Sequence, residues 1–571
     1  MILKRITLLL SCFCLIIQAQ SQPLEPTNYP QNYFRNPLGI PIQLAANFGE
    51  LRNNHFHMGL DIRTNQRENL PVYAAAEGYI SRVKIEQYGF GRAIYITHPN
   101  GFTTLYAHLN AFYPALEAHV TSEQYQNESW EQDMFLLPTL FPVKKGQFIA
   151  NSGNTGGSAG PHLHFEIRET YTENNLNPLL FNIGVTDNIP PFINRLYMYN
   201  RQYSTYQMGP QLLPIIKTGK DYKTRENIIT TGSSIVSFGI AAEDKSNMSF
   251  NFGIYQAAIY LDDQLQCALS MNNFSYPDSR YINASVDYAS KAKTGSWIQH
   301  LSRLPGNKSP VFAANAGDGI IRLSDTEVHD ISIVINDAMN NSITLRSKIK
   351  YDLSKSTGLF NTANYVTMAP NKAGSVETDD MRSTFSANAF YDTVRFVAAS
   401  KPATDPRAIS NVHSLYNYAV PVHDSFNVAV KATRDISPEL KERVIMHLVS
   451  NRKKEAKKGM WNNGWMENRF RDLGDAQLLV DTIPPRIVLS GWVNGSNMRG
   501  KPAITVLADD NLGDLKSFRA ELDGKWLMFS RKNDYFIHRF DDLTTPGQHT
   551  LVIEVQDEAG NTTRKTFAFT R

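Results

Sequence analysis

The chain has 571 residues, too many for one hydrophobic core, and its 42% hydrophobic and 11% aromatic content suits roughly three or four packed domains. Lysine plus arginine (57) nearly balances aspartate plus glutamate (54), and a formal net charge of +3 excludes a polybasic nucleic-acid binder. Of three cysteines, Cys12 and Cys14 lie in the leader, so Cys267 alone remains and no intrachain disulfide is expected.

Residues 1–19 read as a signal peptide. Lys4 and Arg5 form its basic region, Ile6 to Ile17 its apolar run, and Ala19 the small residue before cleavage. That run is short for a membrane span, and no later segment approaches membrane length. The mature chain is therefore expected in the periplasm or cell envelope, without a transmembrane segment. Leu9-Leu10-Ser11-Cys12 faintly resembles a lipoprotein box, but it sits early and splits the apolar run, so lipid anchoring is not expected.

A proline- and asparagine-rich lead follows over residues 20–42. From 43 to 186, short alternating runs such as Arg92-Ala-Ile-Tyr-Ile-Thr97 are broken by glycine-rich turns, which predicts a small antiparallel β domain. Residues 111–142, rich in aromatics and acids, interrupt it as an insertion. Downstream the chain repeats itself: Asp187-Asn-Ile-Pro-Pro-Phe-Ile193 is matched by Asp481-Thr-Ile-Pro-Pro-Arg-Ile487. The repeat closes alike, with Asp337-Ala-Met-Asn-Asn341 against Asp557-Glu-Ala-Gly-Asn561. Proline pairs at the start and Asp/Asn/Gly turns near the end predict β-sandwich modules over 187–352 and, at immunoglobulin-domain size, over 481–571. Residues 353–480 between them read as a further β-rich module, with the basic run 452–458 as a solvated loop. The fold class is thus mainly β: a small antiparallel domain followed by immunoglobulin-like sandwiches.

Chemistry concentrates in three histidine motifs: His55-Phe-His57-Met-Gly59-Leu-Asp61, Leu105-Tyr106-Ala-His108, and Gly160-Pro-His162-Leu-His164-Phe-Glu166. Strand side chains alternate faces, so His57, Gly59 and Asp61 are expected on one face, with Gly59 leaving open space between its neighbours. His162 and His164 share a face of another strand. Two histidines and a carboxylate with an open fourth position make a catalytic zinc site. An isolated H-x-H is more often a solvated pair, but three such motifs in about 110 residues, out of 14 histidines in all, make coincidence a poor explanation.

Taken in order, Phe48-Gly-Glu-Leu-Arg52, His57-Met-Gly-Leu-Asp61, Pro71-Val-Tyr-Ala-Ala-Ala-Glu-Gly78, Thr104-Leu-Tyr-Ala-His-Leu109 and Asn151 through Glu166 resemble the lysostaphin-type (LytM-like) zinc endopeptidases of peptidoglycan, in a multidomain form. The resemblance implies one Zn2+ per chain held by His57, Asp61 and His164, with His108 and His162 as unliganded active-site histidines. It also implies peptidoglycan as the partner, and a zinc-activated water attacking a peptide carbonyl. His162 is then expected as general base and His108 as oxyanion partner. The HxxxD spacing to Asp61 selects His57 over His55, which is left on the rim. Asn154, Thr155 and Tyr106 are candidates for lining the substrate groove, although the glycine turn after Asn154-Thr155 needs no functional reason. Glu166 reads as a structural polar residue, with orientation of a ligand as the alternative. The insertion is expected as groove wall, lid or packing element. The competing function is a non-catalytic envelope protein that binds peptidoglycan and regulates other hydrolases, a reading that loss of ligands would favour.

Overall fold

The structure, a computed structural model, describes residues 28–245, 250–313, 316–356, 365–451 and 453–571. The expected signal peptide, with Cys12 and Cys14, lies outside them. Strands make up 45% of the structure and helix 7%, as the mainly β reading requires. Among the described residues no helix is long and apolar enough to cross a membrane.

The first region is built on an antiparallel sheet of β1 (Leu44–Ala46), β2 (Leu60–Arg63), β3 (Gly78–Ile85), β4 (Arg92–Thr97), β5 (Phe102–Ala107), β6 (Gln132–Phe135) and β7 (His162–Glu169). Their spatial order is β1-β2-β7-β5-β4-β3-β6. Strand β7 shows how sequence positions the site. Leu163, Phe165 and Ile167 on one face are fully buried in the core, so the period of two sends His162, His164, Glu166 and Arg168 together to the other. Its register sets His164 opposite Asp61 on β2 and opposite Ala107 on β5.

The lead is part of this core. Phe34 and Leu38 are 2% and 1% exposed, and the Tyr29 ring stacks on Phe181 at 4.5 Å. The insertion folds as α1 (Pro114–Gln126) and β6, the helix started by a proline whose missing N–H costs nothing in the first turn. It packs on the C-terminal module: Tyr125 Oη donates to Asp541 Oδ2 at 2.6 Å, and Arg519 pairs with Glu128 at 2.7 Å.

The region after residue 187 contains two sheets, one with β8 (Phe192–Asn200) and β9 (Ile235–Lys245), the other with β10 (Val328–Asn336) and β11 (Ser342–Tyr351). The stretch at Ile189-Pro190-Pro191 is irregular coil, yet the two regions share one continuous apolar core from Tyr29 to Ile349. Strand Asn273–Phe274 pairs with Asn175–Leu176 of the first region, and the Phe274 ring lies 4.5 Å from Phe48 and 5.5 Å from Phe56. Gly49, at φ +80, lets the chain pass so close that a Cβ there would meet Met271 at 2.6 Å.

Residues 365–480 carry two five-stranded sheets on their own core, and residues 486–570 carry a four- and a five-stranded sheet around Ile504, Val506, Ile553 and Val555. The basic run is not a loop: Lys453–Lys457 is an edge strand paired with Val444–Ser450, where lysines discourage further strand addition.

Candidate metal centre

Three donor atoms converge at the floor of a cleft of about 750 Å³. His57 Nε2 lies 3.0 Å from Asp61 Oδ1 and 3.1 Å from His164 Nδ1, and the last two are 2.9 Å apart. Ligands about 2.0–2.1 Å from a tetrahedral ion stand roughly 3.3 Å from one another, so small outward shifts would admit zinc.

The partners of the other ring nitrogens fix the tautomers. His57 Nδ1–H donates to the Asn47 carbonyl at 2.7 Å, which leaves the Nε2 lone pair facing inward. His164 Nε2–H donates to Glu166 Oε1 at 2.8 Å, which leaves Nδ1 facing inward. His108 Nδ1–H donates to the Thr155 carbonyl and His162 Nδ1–H to the Gly160 carbonyl, both at 2.8 Å. Four imidazole lone pairs and a carboxylate oxygen thus face one small space. Such a donor set repels itself unless protons or a cation stand among them, and its N/O composition suits zinc.

The charges agree. Burial would raise the Asp61 carboxyl, but His57 and hydrogen bonds from His162 and His164 hold it well below the usual carboxylate range. Burial would lower His164, yet hydrogen bonds to Asp61 and Glu166 push it up to about 9, the pull of two carboxylates that favours positive charge at this point. His108 goes the other way, down to about 3, through burial and then the neighbouring His164 and His162.

The structure brings several of the predicted residues together. His57, Asp61 and His164 meet, and the His108 and His162 rings stand over them, 4.7 Å apart between centroids. His162 Nε2 is 3.3 Å from Asp61 Oδ1. Exposed His55 borders the cleft.

Others are corrected. Tyr106 does not face the cleft. It is fully buried, its hydroxyl accepting the Ala75 N–H at 2.7 Å, because the chain leaves strand geometry after Ala107 and His108 takes φ +59, which breaks the shared parity. Asn154 and Thr155 line a neighbouring cavity beside Trp130 and Met528, and Thr155 is bound to Arg92 N–H and the Leu109 carbonyl. Residues 57–59 form a bend between two short strands, so strand alternation is not what brings His57 to Asp61. Nor does Gly59 leave space: a Cβ there would meet the Phe165 carbonyl at 2.4 Å and Glu166 Cγ at 2.8 Å, so glycine is required for β7 to approach. No residue of 111–142 lines the cleft, which leaves the insertion its packing role.

A supporting shell surrounds these residues, of which sequence reasoning raised only Glu166, as an alternative reading, and missed the rest. Arg52 donates to Asp61 Oδ2 at 2.9 Å, leaving Oδ1 for the centre. Glu166, fully buried, orients His164 and is itself held by Arg168 (2.7 Å), Asn175 (2.6 Å) and Tyr276 (2.9 Å). Arg168 and His164 keep it ionised, down to about 2, against the effect of burial. Tyr276 belongs to the following region, as does Gly253, whose backbone clamps the Asn47 side chain at 2.7 and 3.0 Å. That region therefore braces both histidines of the candidate centre. Arg52 lay within a quoted motif; nothing local marks Tyr276 or Gly253.

Residues 55–125 and 140–178 match the family described as peptidase family M23, and residues 365–481 match a Zu5-like domain. The family match skips part of the insertion. The chain is similar to the DD-carboxypeptidase/endopeptidase Mpg of Neisseria meningitidis, 38% identical over 112 residues, 20% of each chain. It is also similar to the peptidoglycan DD-endopeptidase ShyC of Vibrio cholerae, 31% identical over 96 residues, 17% of each. It thus spans about a fifth of the length of these curated relatives. Among solved structures, the catalytic domain of lysostaphin from Staphylococcus simulans aligns with 25% of this chain and 92% of its own, at 23% identity and a TM-score of 0.19. The chain thus carries a region that matches peptidase family M23, followed by a Zu5-like region toward its C-terminus.

Proposed function

We propose that the M23 domain is a zinc-dependent endopeptidase that hydrolyses peptide bonds in the stems or cross-links of peptidoglycan, with the protein exported to the cell envelope. The observation that carries this reading is the convergence of two histidines and one aspartate, with two further histidine lone pairs, on the floor of an open cleft. The names of the relatives, a peptidoglycan DD-endopeptidase and a DD-carboxypeptidase/endopeptidase, support the substrate class.

His57, Asp61 and His164 would hold one zinc ion, which lowers the pKa of a water and polarises the scissile carbonyl. The chain's own residues supply the rest. His162, kept in one tautomer by Gly160 and Ser158, presents Nε2 to accept the proton of the attacking water and return it to the leaving amine. His108, its Nδ1–H held by the Thr155 carbonyl, turns its other ring edge toward the same space and would stand beside the oxyanion that forms there. Arg52 and Glu166 hold Asp61 and His164 in place.

The test is digestion of defined muropeptides by the purified chain, with product masses read out. Cleavage at a peptide bond, lost with a chelator and in Asp61→Ala, is the expected result. Intact muropeptides from zinc-loaded protein would favour the non-catalytic alternative.

A further inference from the structure

The repeated Asp-x-Ile-Pro-Pro and Asp-x-x-x-Asn segments take no part in the peptidase site, yet the fold brings the first copy together. Asp187 lies in the coil entering the second region, Asp244 near the end of β9, and Asp337 just after β10. One carboxylate oxygen of each lies within 4.8 Å of the others. Asp244 and Asp337 are 6% and 2% exposed. Asp337 is satisfied by the N–H groups of Met339 and Asn341 and by the Asn341 amide, and Asp187 by the N–H of Ile189. Asp244 is satisfied only in part: the Lys245 N–H favours its charge, but its Oδ1 is buried with no hydrogen-bond partner, and the charged groups that act on it are Asp337 and Asp187. A buried carboxylate oxygen facing two other carboxylates without a donor of its own is strongly unfavourable unless a proton or a cation fills the gap.

The geometry points to a calcium site formed by Asp187, Asp244 and Asp337, separate from the peptidase centre. Oxygens about 2.3–2.6 Å from a shared ion lie within roughly 5 Å of one another, as these do. The donors are all hard oxygens, without histidine or thiolate, which selects calcium or magnesium over zinc. Three carboxylates from separate segments, with Asp244 and Asp337 deeply buried, leave little room for the water shell that magnesium retains, which selects calcium.

The ion's role follows from where the ligands sit. Strands β9 and β10 belong to different sheets, so a shared ion ties both to the segment that enters from the peptidase. Phe250, of the same region, lines the peptidase cleft with Arg63 over its ring at 4.7 Å. The matching triad Asp481, Asp510 and Asp557 is compensated differently: Asp510 Oδ2 accepts the N–H groups of Leu512 and Gly513, and Arg407 acts on Asp481.

The experiment is equilibrium dialysis of the full-length, zinc-loaded chain against radiolabelled calcium, up to about millimolar concentration. Asp244→Asn, a nearly isosteric change, is expected to bind one calcium ion fewer per chain than wild type and to lose most of the calcium-dependent rise in melting temperature. Zinc content, measured in parallel, reports that the peptidase region is folded. Asp187→Asn, in partly exposed coil, gives the same loss by a second route if Asp244→Asn misfolds. Absence of calcium binding by wild type, or equal stoichiometry in wild type and both variants, overturns the proposal.

Discussion

Replacing Tyr276 by phenylalanine tests whether the second region tunes the metal centre. The substitution removes one hydroxyl, which donates to Glu166 Oε1 at 2.9 Å, and leaves the ring to pack as before over Arg168. A hydrogen bond to an ionised group contributes about 1.5–3 kcal/mol. Glu166 keeps His164, Arg168 and Asn175, so the loss falls at the low end, about 1.5 kcal/mol, or roughly tenfold in an equilibrium constant. Changes to groups that orient a metal-binding histidine weaken metal affinity by about 10–100-fold, which agrees. The assay is zinc competition against a chromophoric chelator, with Tyr171→Phe, a change at a 97% exposed tyrosine, as the control. Zinc affinity within about twofold of wild type would refute the coupling through Glu166 and reduce Tyr276 to a packing residue.

Three further outcomes are expected. His108→Ala and His162→Ala should each keep a full complement of zinc, by elemental analysis, while kcat on a muropeptide falls by about 10²–10⁴, because neither ring is needed to hold the ion. A chain ending at residue 187 should aggregate, or elute as a non-native species in size-exclusion chromatography, whereas one ending at residue 352 keeps its zinc. The shorter chain strips Met271 and Phe274 from Gly49, Phe48 and Phe56, and one phenylalanine's burial alone contributes about 1.5–3 kcal/mol. Burial lowers His98 to about 4, with its nitrogens bound to the Glu77 carbonyl and Thr104. A depressed histidine stabilises the fold fully above its unfolded value near 6.5, and that contribution is lost as pH falls toward about 4. Between pH 7 and pH 5, His98→Gln should lose less hydrogen-exchange protection in residues 92–97 than wild type does, by about 2 kcal/mol; equal losses would exclude His98 as the source.

What the sequence determined by itself is local and periodic. The H-x-x-x-D and H-x-H motifs marked the candidate residues, and the family resemblance selected His57, Asp61 and His164 among them; on β7 a period of two places His162 and His164 together once Leu163, Phe165 and Ile167 seek the core. The twin Asp-x-Ile-Pro-Pro segments likewise announced a repeated β module, since prolines and turn residues act on the backbone where they stand. Only the tertiary structure decided the rest. Tyr106 shares nominal parity with His108, but a left-handed residue at the strand's end undoes parity, and no spacing reveals it. Gly59 looked like an opening because its small size is visible in sequence, whereas the carbonyl of Phe165 that occupies the space lies about a hundred residues away. Tyr276, Gly253 and Asp244 carry no local signal at all. What each does depends on which distant surface the chain folds it against, and that is set by burial of a shared core such as the one joining Phe48, Phe56 and Phe274, which no single segment encodes.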